Sequence, residues 1–200
     1  MKMSYSDFAN VYDSLMQGVD YPKMCEKYLS LLKLHSHTPR LVLDAACGTG
    51  AFTFELCSRG FDVVGVDCSQ EMLSVARERI GDKALLLCQE LQHLDLYGTI
   101  DTVFCTLDGL NHITDFDELR ASIKKIALFT EPCGMFIFDV NTLFTTLLCW
   151  KMKMSTPSGA TSIKTTVLQN SPSTFSAKTK TVHTPVQVNV FKSVRIVTKV

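Results

Sequence analysis

No aspartate or glutamate follows Asp139, so the last sixty-one residues of this 200-residue chain carry eight lysines and arginines and no acid. The first part holds all twenty acids against twelve bases, and the formal net charge of zero joins two unlike compositions. A balance of −8 over that first part has the wrong sign for a surface that tracks nucleic-acid phosphates, so no nucleic-acid partner is expected. Long apolar runs are missing as well: nowhere do eighteen apolar residues follow one another, which argues against a membrane-spanning helix. The opening residues, MKMSYSDFANVYDSL, break their apolar positions with Ser, Asp and Asn and form no secretory core, so a cytoplasmic protein is expected. Eight cysteines (Cys25, Cys47, Cys57, Cys68, Cys88, Cys105, Cys133, Cys149) include no Cys-x-x-Cys pair and no clustered histidine. They read as reduced structural thiols, several of them inside apolar runs, and no metal is expected.

What is present is a regular alternation. The length suits one domain with a sizeable core. Tyr21, Met24, Cys25, Tyr28, Leu31 and Leu32 recur at helical spacing and predict a helix over 21–34. Buried strands are predicted over 41–45, 61–67, 84–88, 101–106 and 135–140. Between them come a helix near 52–59 stopped by Gly60, a helix capped by Ser69 and closed by Gly81, and a helix opened by Asp115. Short apolar strands alternating with helices predict an α/β fold, a mostly parallel sheet with helices on both faces. Ligands of such sheets lie beyond the carboxyl ends of the strands, where strand order reverses.

The first strand leads into Asp44-Ala45-Ala46-Cys47-Gly48-Thr49-Gly50. Its glycines allow close approach of the backbone to a ligand, and the next helix offers free N–H groups. No Gly-Lys-Ser/Thr follows, which excludes a P-loop. A dinucleotide fingerprint would place its third small residue at position 53, which is Thr53, so an NAD site is weakened and stays open. Asp67 ends the second strand seventeen residues beyond Gly50. It can accept from both hydroxyls of a ribose, or else cap the next helix. Glu90, within Gln89-Glu90-Leu91, is placed to meet an adenine amino group, and Leu107-Asp108-Gly109-Leu110-Asn111-His112 follows the fourth strand. So many carboxylates would repel a phosphate ligand and suit a cationic one.

In this order and spacing, LVLDAACGTG, VVGVDCSQEML, LCQELQHLDLYG, IDTVFCTLDGLNHI and GMFIFDVNT resemble the successive motifs of class I S-adenosylmethionine-dependent methyltransferases, and YSDFANVYDSLM resembles the N-terminus of a small bacterial group among them. The resemblance implies a Rossmann-like methyltransferase fold, S-adenosylmethionine as cofactor and a small-molecule methyl acceptor. It implies that Asp44, Ala46, Gly48 and Gly50 wrap the methionine part, that Asp67 holds the ribose, and that Met72, Glu90 and Leu91 meet the adenine. Asp108, Leu110 and Asn111 match the segment bordering cofactor and substrate. Tyr5, Tyr12 and Asp13 resemble the segment that closes over the cofactor, although helix packing accounts for the tyrosines equally well. Catalytic residues stay unassigned, with His112 and Asn111 as candidates; an imidazole with a pKa of about 6.5 could take a proton from an acceptor O–H or N–H.

The resemblance covers residues 4–142, and the chain reads as a cofactor-binding domain over 1–142 and an atypical tail over 143–200. Sixteen of the last fifty residues are Ser or Thr. Members of the family continue with an acidic, aromatic segment and two more strands, the last antiparallel, so the C-terminal strands are expected to be aberrant or incomplete here. Three accounts of the tail stay open. It is a divergent substrate region, with Val186, Val188, Val190, Val194 and Ile196 alternating as a hairpin; a basic flexible arm; or an out-of-frame translation. The third explains the composition most fully, because codons for Asp and Glu read one base later encode Lys, Thr, Ser and their neighbours. A defective, non-catalytic nucleotide-binding domain therefore stands beside the NAD-dependent oxidoreductase as a rival to the methyltransferase.

Overall fold

A computed structural model describes residues 5–140, 146–154, 161–169 and 176–180, with side chains described for residue 9 and residues 11–139. Two helices come first, α1 (Tyr5–Leu15) and α2 (Tyr21–Leu34), followed by strand β1 (Leu41–Ala45). The chain continues through α3 (Ala51–Ser58), β2 (Asp62–Asp67), α4 (Gln70–Ile80), β3 (Leu85–Cys88), β4 (Ile100–Cys105), α5 (Phe116–Phe129) and β5 (Thr130–Val140). Three further strands, β6 (Thr146–Met154), β7 (Thr161–Gln169) and β8 (Ser176–Lys180), follow.

Local chemistry explains the boundaries. The Asp20 carboxylate accepts from the Lys23 N–H at the start of α2, and Pro22 occupies an early helical position that needs no N–H. Ser69 accepts from the Met72 N–H to cap α4, and Asp115 accepts from the N–H groups of Asp117 and Glu118 to cap α5.

Strand order in the sheet is β3-β2-β1-β4-β5-β6-β7-β8. The first five strands are parallel, and the doubly wound order reverses between β1 and β4. Alternation along each strand divides the core into two layers. Val42, Val63, Phe104, Met135 and Ile137 pack beneath α2, α3 and α4, where Phe52 meets Phe104 edge to face with ring centroids 5.3 Å apart. Leu43, Val66, Val103, Phe136 and Phe138 pack on the opposite face with Leu119, Ile123 and Ile126 of α5. This is a doubly wound, Rossmann-like α/β fold with helices on both faces.

Two differences from expectation concern β5 and the tail. β5 begins at Thr130 rather than at Met135, because a register shift against β4 between Ile100 and Thr102 interrupts it. Gly134 permits that bulge, since a Cβ there would lie 2.8 Å from the Asp101 carbonyl oxygen. Beyond β5 the sheet is extended by β6, β7 and β8 as an antiparallel meander in sequence order. The resemblance implied two strands with only the last antiparallel. The proposed hairpin through Val186–Ile196 lies outside the described residues.

Among the described residues no helix is long and apolar enough to cross a membrane, and no group of three or more His, Cys, Asp or Glu could hold a metal ion. The seven cysteines with described side chains are all free thiols.

Candidate cofactor and active site

The reversal of strand order separates the loops that follow β1 and β4, and a cavity of about 460 Å³ opens between them. Such a volume suits a small-molecule ligand. One side is the glycine turn after β1. Gly48 and Gly50 have φ of 54° and 73°, and Ala46 shares this left-handed conformation at 59°. A non-glycine residue held there stores strain, a feature that gathers at ligand sites. The opposite side is the turn after β4, where Leu107 and Asp108 are left-handed in succession, with φ of 55° and 67°. The two sides nearly touch: a Cβ on Gly109 would lie 3.0 Å from the Ala46 Cβ and 2.7 Å from the Cys105 Sγ.

Asp44 sits under the glycine turn, 1% exposed, and accepts from the Thr53 hydroxyl at 2.5 Å. Burial pushes its pKa up to about 7; the Thr53 hydrogen bond opposes this and the Asp67 charge adds to it. Thr53 thus occupies the fingerprint's third position as a buried partner of Asp44. Burial also holds the neighbouring Cys47 thiol well above its ordinary value, so the wall here carries a neutral S–H.

Asp67 at the end of β2 accepts from the Gly48 N–H at 2.8 Å through Oδ2 and from the Ser69 N–H at 2.9 Å through Oδ1. The helix cap itself is Ser69. Each Asp67 oxygen keeps a second lone pair, and the carboxylate lines the cavity. Met72 and the buried Leu91 supply apolar wall nearby. Glu90 stands at the exposed rim, where its Oε2 lies 3.1 Å from His93 Nδ1 and accepts from Gln92 Nε2 at 3.1 Å.

Of the residues singled out from the sequence, Tyr12, Asp44, Ala46, Gly48, Asp67, Met72, Glu90, Leu91 and His112 come together around this cavity. Gly50, Asp108, Leu110 and Asn111 stand behind the lining. Gly50 presses against α4, where a Cβ would lie 2.8 Å from the Ala76 Cβ. Leu110 is 1% exposed in the core. Asn111 donates to Asp108 Oδ1 at 3.1 Å, while the Asp108 N–H points to Asp139 Oδ2 at 3.3 Å. Tyr5 begins α1, but its side chain lies outside the described residues.

Several wall residues were not legible beforehand. Tyr21 and Phe52 line the cofactor side beside Thr49 of the glycine turn, and Thr106, Ile113 and Glu118 join Leu107 on the side toward β4 and α5. Burial, followed by the charges of Asp67, Asp108 and Asp13, raises the Tyr12 pKa and keeps that phenol protonated. Among the described residues lining the cavity there is no lysine or arginine, whereas Asp44, Asp67, Glu90 and Glu118 all contribute.

Comparisons with known proteins agree with this geometry. Residues 42–134 match a family described as a methyltransferase domain. A putative methyltransferase of Bacillus subtilis, YqeM, is 31% identical over 145 residues, covering 71% of this chain and 57% of the relative. The dTDP-3-amino-3,6-dideoxy-alpha-D-glucopyranose N,N-dimethyltransferase of Streptomyces fradiae is 29% identical over 135 residues, 66% of this chain and 52% of the relative. The chain thus spans little more than half the length of these two proteins. A solved S-adenosylmethionine-dependent methyltransferase from Clostridium acetobutylicum superposes with a TM-score of 0.62 at 27% identity, over 88% of this chain and 79% of that one. Sequence motifs, strand order, the cavity at the reversal and these relatives converge: over the residues that build the cavity the chain is similar to S-adenosylmethionine-dependent methyltransferases.

Proposed function

We propose that this protein transfers the methyl group of S-adenosylmethionine to a small-molecule acceptor. The observation that carries the reading is the Asp67 carboxylate, oriented by the N–H groups of Gly48 and Ser69 on the wall of the cavity at the strand-order reversal. A carboxylate so held accepts from both hydroxyls of an unmodified ribose. The wall fits the rest of the cofactor too, since Asp67, Glu90 and Glu118, with the buried acid Asp44 and no described lysine or arginine, suit a sulfonium and an amine rather than a phosphate.

In this reading Gly48, Ala46 and the buried Asp44 surround the methionine part, Met72 and Leu91 flank the adenine, Glu90 meets its amino group, and Tyr12 covers the cofactor. Gly50, Asp108, Leu110 and Asn111 shape the two turns from behind. The bound sulfonium supplies an already activated methyl group. The protein's task is then to align the acceptor with it in a water-poor space. Leu107 and Ile113 exclude water on the acceptor side, Thr106 and Glu118 offer hydrogen bonds, and His112 Nε2 or Nδ1 can receive the acceptor's proton. Residues 1–142 form the cofactor-binding unit in this account, and 143–200 the atypical tail, whose strands β6 to β8 lengthen the sheet.

The Streptomyces fradiae relative is by its name an amino-sugar N,N-dimethyltransferase, so amino sugars are the first acceptors to assay. Titration calorimetry with S-adenosylmethionine, S-adenosylhomocysteine and NAD tests the reading. Saturable binding of the first two and none of NAD is expected; binding of NAD alone would overturn it.

A further inference from the structure

Three side chains tie α1 to the glycine turn and to α4. Asp13 Oδ1 accepts from the Thr49 hydroxyl at 2.7 Å, and Asp13 Oδ2 pairs with the Arg79 guanidinium. Through Nη1, Arg79 donates to the Thr49 carbonyl at 2.6 Å and to its hydroxyl oxygen at 3.1 Å. Thr49 is 2% exposed and lies in the turn between Gly48 and Gly50. α4 can reach it because Gly50 lacks a Cβ that would collide with Ala76 and Ile80. Tyr12, the neighbour of Asp13 on α1, lines the cofactor cavity. Asp13 and Arg79 face a second cavity of about 350 Å³, also lined by Met16, Val19 and Phe54, while Tyr21 and Ala51 border both spaces.

We propose that Asp13 and Arg79 are positioning residues for the cofactor: their ion pair, clasped around Thr49, fixes α1 so that Tyr12 closes the cavity over the glycine turn. The proposal rests on the S-adenosylmethionine reading above and adds to it the clasp that holds the cover shut. Side-chain exposures of 34% and 27% for Asp13 and Arg79 leave the pair open to water on the second-cavity side, so it can release. Without the clasp α1 spends less time seated, and apparent affinity falls by the fraction of molecules left competent to bind. A cover seated one-tenth of the time gives about a tenfold weaker dissociation constant.

The test uses the full chain and S-adenosylhomocysteine, with calorimetry for affinity and amide hydrogen exchange over residues 5–15 for the state of α1. Asp13→Asn and Arg79→Gln are each expected to weaken binding about tenfold, with the double variant no more than about threefold weaker than either single one, as residues of one unit behave. Cofactor-dependent slowing of exchange over α1 is expected in the wild type and lost in the variants, while exchange in α5 stays unchanged. Thr49→Val, which removes the hydroxyl that Asp13 and Arg79 share, should behave like Asp13→Asn. If Arg79→Gln lowers the melting temperature severely, Asp13→Asn, a substitution on the exposed side of the pair, decides alone. Wild-type binding with variants within twofold of it, or with α1 protection retained, would overturn the clasp. No binding by the wild type would instead sink the cofactor reading itself, and the clasp with it.

Discussion

The Gly48 N–H reaches Asp67 Oδ2 at 2.8 Å, so the glycine turn after β1 and the acid at the end of β2 form one hydrogen-bonded unit. Neither motif is independent of the other. The turn orients the carboxylate, and the carboxylate satisfies an N–H that would otherwise face the cavity alone.

Asp67→Ala therefore removes an acceptor for the Gly48 and Ser69 N–H groups as well as the proposed ribose contacts. Cofactor binding should weaken by about 1 to 3 kcal/mol, read as the ratio of dissociation constants in calorimetry. An unchanged constant would count against the ribose role.

Gly50→Ala should destabilise the fold. Its φ of 73° disfavours any side chain, and the added Cβ would lie 2.8 Å from the Ala76 Cβ and 2.7 Å from the Ile80 Cδ1. The Ile80 tip can rotate away, whereas Ala76 has no freedom to yield. A loss of at least ~1 kcal/mol in urea unfolding is expected from the left-handed backbone alone. Wild-type stability would show that α4 moves freely, contrary to the packing described.

Asp44 gives stability a pH dependence. Burial raises its folded pKa from the ordinary 3.8 to about 7, so between about pH 4 and 7 the folded protein keeps a proton that the unfolded chain has released. Stability falls as pH rises through that window and levels off above it. Asp139, pushed up to about 6 chiefly by burial, acts in the same direction over a narrower range. Asp44→Asn cannot titrate, so its stability relative to the wild type should improve from pH 4 to 7 by on the order of a few kcal/mol and then stay constant. Urea unfolding at pH 4.5, 6 and 8 checks this, and a gap that does not change with pH would refute it.

At the other end of the sheet, Asp101 is 5% exposed and accepts from the N–H groups of Arg40 and Leu41 at 2.9 and 3.0 Å, tying the entry of β1 to β4. Its Oδ1 accepts from the Thr102 hydroxyl at 2.6 Å. Asp101→Ala should cost about 1 to 3 kcal/mol in unfolding experiments, because the Arg40 and Leu41 N–H groups and the buried Thr102 hydroxyl lose their acceptor. It lies far from the strand ends that form the cavity, so cofactor affinity of the folded fraction should be unchanged.

Much of this architecture was legible because its signals are local. Ser69 and Asp115 cap the helices they precede, and short apolar runs mark β1 to β4. Asp44, Gly48 and Asp67 declare themselves by position at strand ends. Less local features were hidden. α1 mixes its apolar positions with Ser, Asp and Asn, and its seat depends on an arginine sixty-six residues away. Arg79 itself reads as an ordinary base in the last turn of a helix. The start of β5 was missed because Thr130-Glu131-Pro132-Cys133-Gly134 has the composition of a turn, although a bulge keeps it in the sheet. Leu110 and Asn111 lie in a segment bordering the site, yet a 3-10 turn over Gly109–His112 sends Leu110 into the core and puts His112 on the wall. β6 to β8 pair in an acid-free region rich in Ser and Thr, where alternation is too faint to mark strands.

The proposed function turns on the contact between the Asp67 carboxylate and the ribose of S-adenosylmethionine in this cavity. Binding of S-adenosylhomocysteine and its 2′-deoxyribose analogue to wild type and Asp67→Ala measures that contact in a double cycle. The account predicts that the wild type binds the analogue about tenfold more weakly, the equivalent of one lost hydrogen bond of about 1.4 kcal/mol, and that Asp67→Ala hardly distinguishes the two. Equal discrimination by both proteins, or no binding of either compound by the wild type, would contradict it.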